Sequence, residues 1–475
     1  MMMSNPTPTV SSKVRAGYIL IVIFTILLSV GVVFTARSNA DAIVLAVSMA
    51  AFIVVVFPIV IDKGYHLFEP LTFVIVSVVL GCTLKSFYLV LNTGQNFTVD
   101  EKLLLGLNID SLVFGAIVLL VGLACFSFTY ALTKSSNQRK IQPIKYRWSY
   151  QKVIISSALV TAMSFVAIVL FAERLGISFS NLDSLSAKRF RDDSGTVTAS
   201  RTGTLDYLLY RIALLAKFPL YILFIWKLKS PFRIISLPGL LLVASGVLAI
   251  FVPFFVNNRA GVVVPFFDLL IISYLVRRRL DMKLLLWAGT IVVGLVLVGS
   301  VLRSGTGISS FYDQVFGGRY LIDITKTAHI VSYFNSGDDM LWGLSLTTWI
   351  YQIFPFFEAP DQELVNIGFF LGREVFGYVA SGVPPGIVAE LFINFGWPGV
   401  TVGMFFFGWL LKYYYLKYGR AENDLESFVI YAMICTRFTV FLFNNGFSVA
   451  LLKTILDIVG LLVFLSLIRT RKRVA

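Results

Sequence analysis

The chain has 475 residues, of which 57% are hydrophobic, 15% aromatic and 14% charged, with a mean hydropathy of +0.83. Soluble domains carry roughly 25% charged residues, which excludes a water-soluble fold, and runs this long exclude a β-barrel, whose alternating strands need only about ten residues. The net charge of +14 does not point to nucleic acid, because the excess sits in short loops and in the C-terminal tail.

In hydrocarbon each backbone polar group must be satisfied within its own segment, so the apolar runs are expected to be helices. Taken in order they fall near 17–35, 41–61, 70–91, 109–133, 153–173, 204–226, 234–256, 260–276, 283–302, 386–411, 425–443 and 447–468. Each is long enough to cross ~30 Å of hydrocarbon with some tilt. The first follows Lys13 and Arg15 but lacks a convincing small-residue cleavage site, so it reads as a retained helix rather than a signal peptide. The expected fold is an all-α polytopic membrane protein of about twelve transmembrane helices, a single transmembrane domain over 1–475. Cys82, Cys125 and Cys435 lie inside apolar runs and imply neither a disulfide framework nor a zinc site. His66 and His329 are the only histidines, which excludes a His-rich metal centre.

The loops alternate in charge. One set holds Lys13 and Arg15, then Lys63, then Lys134, Arg139, Lys140, Lys145, Arg147 and Lys152. It continues with Lys227, Lys229 and Arg233, with Arg277–Arg279 and Lys283, with Lys412, Lys417 and Arg420, and with Arg469, Arg471, Lys472 and Arg473. The opposite loops are rich in Asp and Glu. This positive-inside pattern puts both termini in the cytoplasm and leaves two long loops, 174–203 and 303–385, on the outer, periplasmic side.

Those outer segments retain cations against the trend, including Arg174, Lys188, Arg189, Arg191, Arg201, Arg259, Arg303, Arg319, Lys326 and Arg373. The bland account pairs them on the surface with Asp183, Asp192, Asp193, Asp313 and Asp323; the functional account gives them an anionic ligand. Arg319–Phe334 has helical apolar spacing, and the aromatic-rich Leu341–Phe357 is expected in the membrane interface.

Charges inside spans are costly and mark candidate sites. Glu390, Arg437 and Arg211 fall toward outer helix ends, where one outer-leaflet cavity would collect them. The alternatives are snorkelling for the arginines and a structural ion pair for Glu390. Lys85, Lys217 and Asp268 lie deeper and receive no role. Arg259 sits with Asn258 in a short outer turn, Asn257–Gly261, where a guanidinium suits a lipid-linked phosphate; a headgroup anchor is the alternative.

Gly382–Gly399 reads GVPPGIVAELFINFGWPG. Pro384 and Pro385 precede a helix start, Glu390 lies about a turn in, and Asn394, Gly396, Pro398 and Gly399 interrupt the helix so that another group can approach. This stretch, after a long outer loop, resembles the Wzy-type O-antigen or oligosaccharide repeat-unit polymerases. The Arg259 turn, the Lys188-Arg189-Phe190-Arg191 loop and Gly317-Gly318-Arg319-Tyr320 support the likeness, which covers roughly the last two-thirds of the chain.

The resemblance implies a C-type membrane glycosyltransferase fold in the bacterial inner membrane. It implies inverting transfer of a glycan from undecaprenyl diphosphate to a hydroxyl of a second lipid-linked repeat unit, facing the periplasm. Membrane lipid and a polysaccharide chain-length regulator are the further partners it suggests. Arg191, Arg259 and Arg319 would stabilise the departing diphosphate without a metal or other cofactor. Glu390, and after it His329, would take the acceptor proton. Arg189, Arg211, Arg437, Asn258 and Asn394 would bind substrate. An O-antigen ligase, a lipid-linked sugar flippase and a non-catalytic export or scaffold protein are the competing classes.

Overall fold

The computed structural model describes residues 39–61, 65–91, 109–134, 147–174, 204–255, 259–277, 322–336, 340–354, 364–377, 382–419 and 425–470, with isolated positions at 279, 285, 286, 289, 290, 294 and 357. Among the described residues, nine helices are long and apolar enough to cross a membrane. They are Ala42–Ile61, Pro70–Tyr88, Asp110–Leu132, Tyr150–Arg174, Leu208–Lys229, Leu237–Phe255, Ile387–Gly419, Leu425–Asn445 and Phe447–Ile468. The helix Arg259–Arg277 matches the run expected at 260–276. The expected span at 17–35 and most of the one at 283–302 lie outside the described residues.

The helices gather into two compact units. The first comprises Met1–Asn137, Ile308–Lys417 and Arg437–Thr454. Within it the helix Ile109–Leu132 is central: Gly122 lies against Val388, Val400 and Met404, while Gly408 lies against the Phe126 backbone. Small residues here let helices approach closely where lipid supplies no hydrophobic drive between them.

Charged residues sit at both ends of this unit. At one end the buried Glu69 accepts from Lys412 Nζ at 2.8 Å and from the Tyr130 hydroxyl at 2.7 Å. Lys412, read above as a loop cation, is therefore inside the bundle. Its ammonium also sits over the Tyr130 and Tyr415 rings, at 4.8 and 5.0 Å.

At the other end the 303–385 segment contributes short helices. Ile324–Tyr333 is buried over most of its length, and Gly115 of the central helix meets its Ala328 backbone with no room for a methyl group. Lys85 Nζ reaches Asp323 at 2.7 Å, with side-chain exposures of 3% and 0%. Asp323, expected on the surface, is thus an internal partner. Lys326, expected as an outer-loop cation, is buried as well, and its Nζ reaches the Asn444 carbonyl at 3.4 Å.

The second unit comprises Gln138–Gly307, Tyr418–Thr436 and Ile455–Ala475. Ala167, Ile168, Phe171, Ala213, Ala216, Leu248, Val252 and Phe255 form a buried cluster across its helices. The two deep charges left without a role find partners here. Lys217 pairs with Asp457, and Asp268 accepts from the Tyr221 hydroxyl and from Thr436 Oγ1. At one end Arg147–Trp148 pairs antiparallel with Arg469–Thr470, and Glu426 accepts from Trp148 Nε1 at 3.2 Å and Arg469 Nε at 3.0 Å.

Candidate functional site

The site grows from a break in one helix. Ile387–Tyr414 begins after Pro384, Pro385 and Gly386, and its backbone turns out of helical geometry at Gly396, φ 60° and ψ −146°. Pro398, two residues on, offers no N–H to the Asn394 carbonyl, so the ladder fails at that point. The 303–385 segment enters the gap: Leu341 N–H donates to the Ile393 carbonyl at 2.9 Å. Gly343 N–H donates to Asn394 Oδ1 at 2.8 Å. The approach expected from the kink-forming residues is made here by the chain's own loop.

Asn394, fully buried, joins three parts of the site. Its Nδ2 donates to Ser345 Oγ and to the Glu390 carbonyl, both at 2.7 Å. Ser345 heads the short helix Leu344–Ile353 and donates from Oγ to Glu390 Oε1 at 3.2 Å. Glu390 Oε2 accepts from the Phe447 backbone N–H at 2.5 Å. Phe447 opens the helix Phe447–Ile468, whose first N–H groups have no partner inside the helix. A carboxylate at that end is favoured by the exposed donors and by the helix dipole.

Gly446, with φ 94°, is required just before this helix, because a Cβ there would collide with Glu390 Oε2. Ser448 Oγ completes the arrangement by donating to the Ser345 carbonyl at 2.6 Å. Glu390 therefore stitches together the loop helix, the broken helix and the start of Phe447–Ile468. It is fully buried, and no basic side chain among the described residues pairs with it. In place of the ion pair weighed as the alternative for Glu390, neutral donors hold it.

His329 lies on the buried helix Ile324–Tyr333 but is itself partly exposed, its ring edge-on to Phe376 at 5.2 Å. The helix is fixed at its start by Asp323, whose Oδ1 accepts from Thr325 N–H and Lys326 N–H, both at 3.0 Å. Burial pushes the Asp323 carboxyl up, but the Lys85 and Lys326 ammonium groups and these hydrogen bonds outweigh it and hold it below the usual carboxylate range.

Arg437 is buried in the same unit, on the π-helical turn Ile434–Thr439; such turns recur at functional sites. Arg211 is half-buried on Thr204–Ala213 in the second unit. Arg259 begins the helix Arg259–Arg277 in that same unit. Arg189, Arg191, Asn258 and Arg319 lie outside the described residues. Of the residues singled out from the sequence, Glu390 and Asn394 are in direct contact.

Ser345, Ser448 and Gly446 were missed, because serines and glycines in apolar stretches carry no signal without their partners. Asp323 was more legible: an Asp just before a helical apolar pattern is a start signal. No family model matches the chain, and no curated protein or solved structure is detectably similar to it.

Proposed function

We propose that this chain polymerises lipid-linked oligosaccharide repeat units in a bacterial inner membrane, with both termini in the cytoplasm and the reaction on the periplasmic side. The observation that carries the reading is the broken Gly382–Gly399 helix, whose gap is filled by the segment expected to be an outer loop. In this reading about twelve spans alternate across the membrane. The pairings support that topology: Glu69, Tyr130 and Lys412 meet at one end of the first unit, and the alternation puts all three near cytoplasmic helix ends. Arg147–Trp148, Glu426 and Arg469 meet likewise in the second unit.

The acceptor hydroxyl attacks the anomeric carbon of the donor as the bond to the diphosphate oxygen breaks, inverting the centre. The diphosphate leaves with the electron pair, and fixed guanidinium groups stabilise that charge; Arg191, Arg259 and Arg319 are the candidates, backed by Arg437 and Arg211. The hydroxyl proton needs an acceptor within hydrogen-bond reach. Glu390 has both oxygens engaged by internal donors and no exposed surface, which suits a positioning role. His329, partly exposed on a helix pinned at its start, is the proposed base.

The lipopolysaccharide ladder of a deletion strain tests the reading. Loss of the polymerase leaves core carrying one repeat, whereas loss of a ligase or flippase leaves core with none. An unchanged ladder overturns all three. Purified protein should form polymer from lipid-linked repeat units with EDTA present and no nucleotide.

A further inference from the structure

Trp342 is the only non-glycine residue with positive φ among those described, at 46°. A bulky side chain in the left-handed region marks strain that the surroundings impose. Here the surroundings are plain. The N–H groups on either side of it, of Leu341 and Gly343, are both anchored in the helix break, on the Ile393 carbonyl and Asn394 Oδ1. Gly343 follows with φ 91° and lies over the Phe395 ring, which a Cβ would approach to 3.2 Å. The indole that this frame presents is 74% exposed, three residues from Ser345 and its bond to Glu390.

Simple anchoring in the bilayer interface needs an exposed tryptophan but no particular backbone, since a flexible loop serves equally well. A ligand platform needs its ring attached at a fixed place, and the two anchored flanking amides fix the backbone from which the indole projects.

We propose that Trp342 is a stacking platform for a sugar ring of the lipid-linked glycan, holding it beside the Glu390–Ser345–Asn394 cluster. The inference rests on the polymerase reading and names the substrate face that this segment contacts. A pyranose presents a face of C–H bonds whose weakly positive hydrogens suit the negative face of the indole, while its hydroxyls point outward to polar partners. The chemistry requires a flat aromatic ring, not apolarity alone.

The test uses full-length protein in proteoliposomes and the difference in tryptophan emission between wild type and Trp342→Phe. Acrylamide probes aqueous access and brominated phospholipid probes contact with the bilayer. Lipid-linked repeat units extracted from the deletion strain are the ligand, and sugar-free undecaprenyl diphosphate is the control. The Trp342 component should be quenched by acrylamide and shielded by the repeat units but not by the control. Quenching by brominated lipid without shielding makes Trp342 a bilayer anchor, and any other failure of the glycan to shield it also overturns the platform.

On the gel ladder, Trp342→Phe should retain more polymer than Trp342→Leu at matched expression, because only Phe keeps a planar ring. Equal ladders from the two variants count against the platform. The deletion strain separates this inference from the polymerase reading: an unchanged deletion ladder removes polymerisation, while an unshielded Trp342 in a polymerising protein removes the platform alone.

Discussion

Replacing Glu390 discriminates between a carboxylate that positions and one that accepts a proton. The side chain receives the Phe447 N–H at 2.5 Å and the Ser345 hydroxyl at 3.2 Å, in a fully buried setting. Glu390→Ala strands both donors, at about 1–3 kcal/mol each, so roughly 2–6 kcal/mol before any cavity is counted. Glu390→Gln keeps the shape and one acceptor oxygen for Phe447. Its amide N–H₂ can donate to Ser345 Oγ, whose own hydrogen then loses its acceptor.

The Gln change keeps a hydrogen-bonding group of the same shape and alters only the bond to Ser345, a loss of about 1 kcal/mol. The positioning role therefore predicts a large loss of thermal stability and of folded yield for Ala. It predicts a small loss for Gln, with turnover within a few-fold of wild type. Thermal unfolding in detergent and polymer formation from purified lipid-linked repeat units read the two quantities separately. A Gln variant as stable as wild type but slower by about 100-fold would refute the positioning argument and return the base to Glu390.

His329→Ala should lower turnover by roughly 10²-fold in the same assay with little change in stability, since the ring is partly exposed; full activity would dismiss it as the base. Lys85→Met alone should destabilise by about 3–5 kcal/mol, because it leaves Asp323 charged and buried, and adding Asp323→Leu should recover part of that loss. Since the Asp323 pKa is depressed by folding, its contribution is present above the unfolded value near ~3.9 and is lost as pH falls through the lower folded value. The gap in melting temperature between wild type and the Lys85→Met/Asp323→Leu variant should therefore narrow below about pH 4, and a gap independent of pH would contradict the depressed value. Arg259→Ala should abolish polymer on the gel ladder at matched expression, with Arg259→Lys restoring little if forked contacts to phosphate matter; a normal Ala ladder would remove Arg259 from the site. Cysteines placed at Ser194 and Ser336 should label from outside intact cells while one at Ser136 stays protected, and labelling at 136 would overturn the topology.

The sequence alone determined the class of this protein, because hydrocarbon permits few solutions. Long apolar runs must become helices, so the expected runs at 41–61, 109–133 and 447–468 meet the helices Asn39–Ile61, Ile109–Leu132 and Phe447–Ile468 within a few residues. The break near Gly396 was legible for a similar local reason: Pro398 removes an N–H and glycine admits a positive φ. Partnership was not legible, since it depends on residues far apart in the chain. Glu390 meets Phe447 across 57 positions, Lys85 meets Asp323 across 238 and Lys412 meets Glu69 across 343. Hydropathy counts a charge as a cost at its own position and cannot see the partner that offsets it. That is why Lys412 and Lys326 read as loop cations, and why only tertiary packing made them internal.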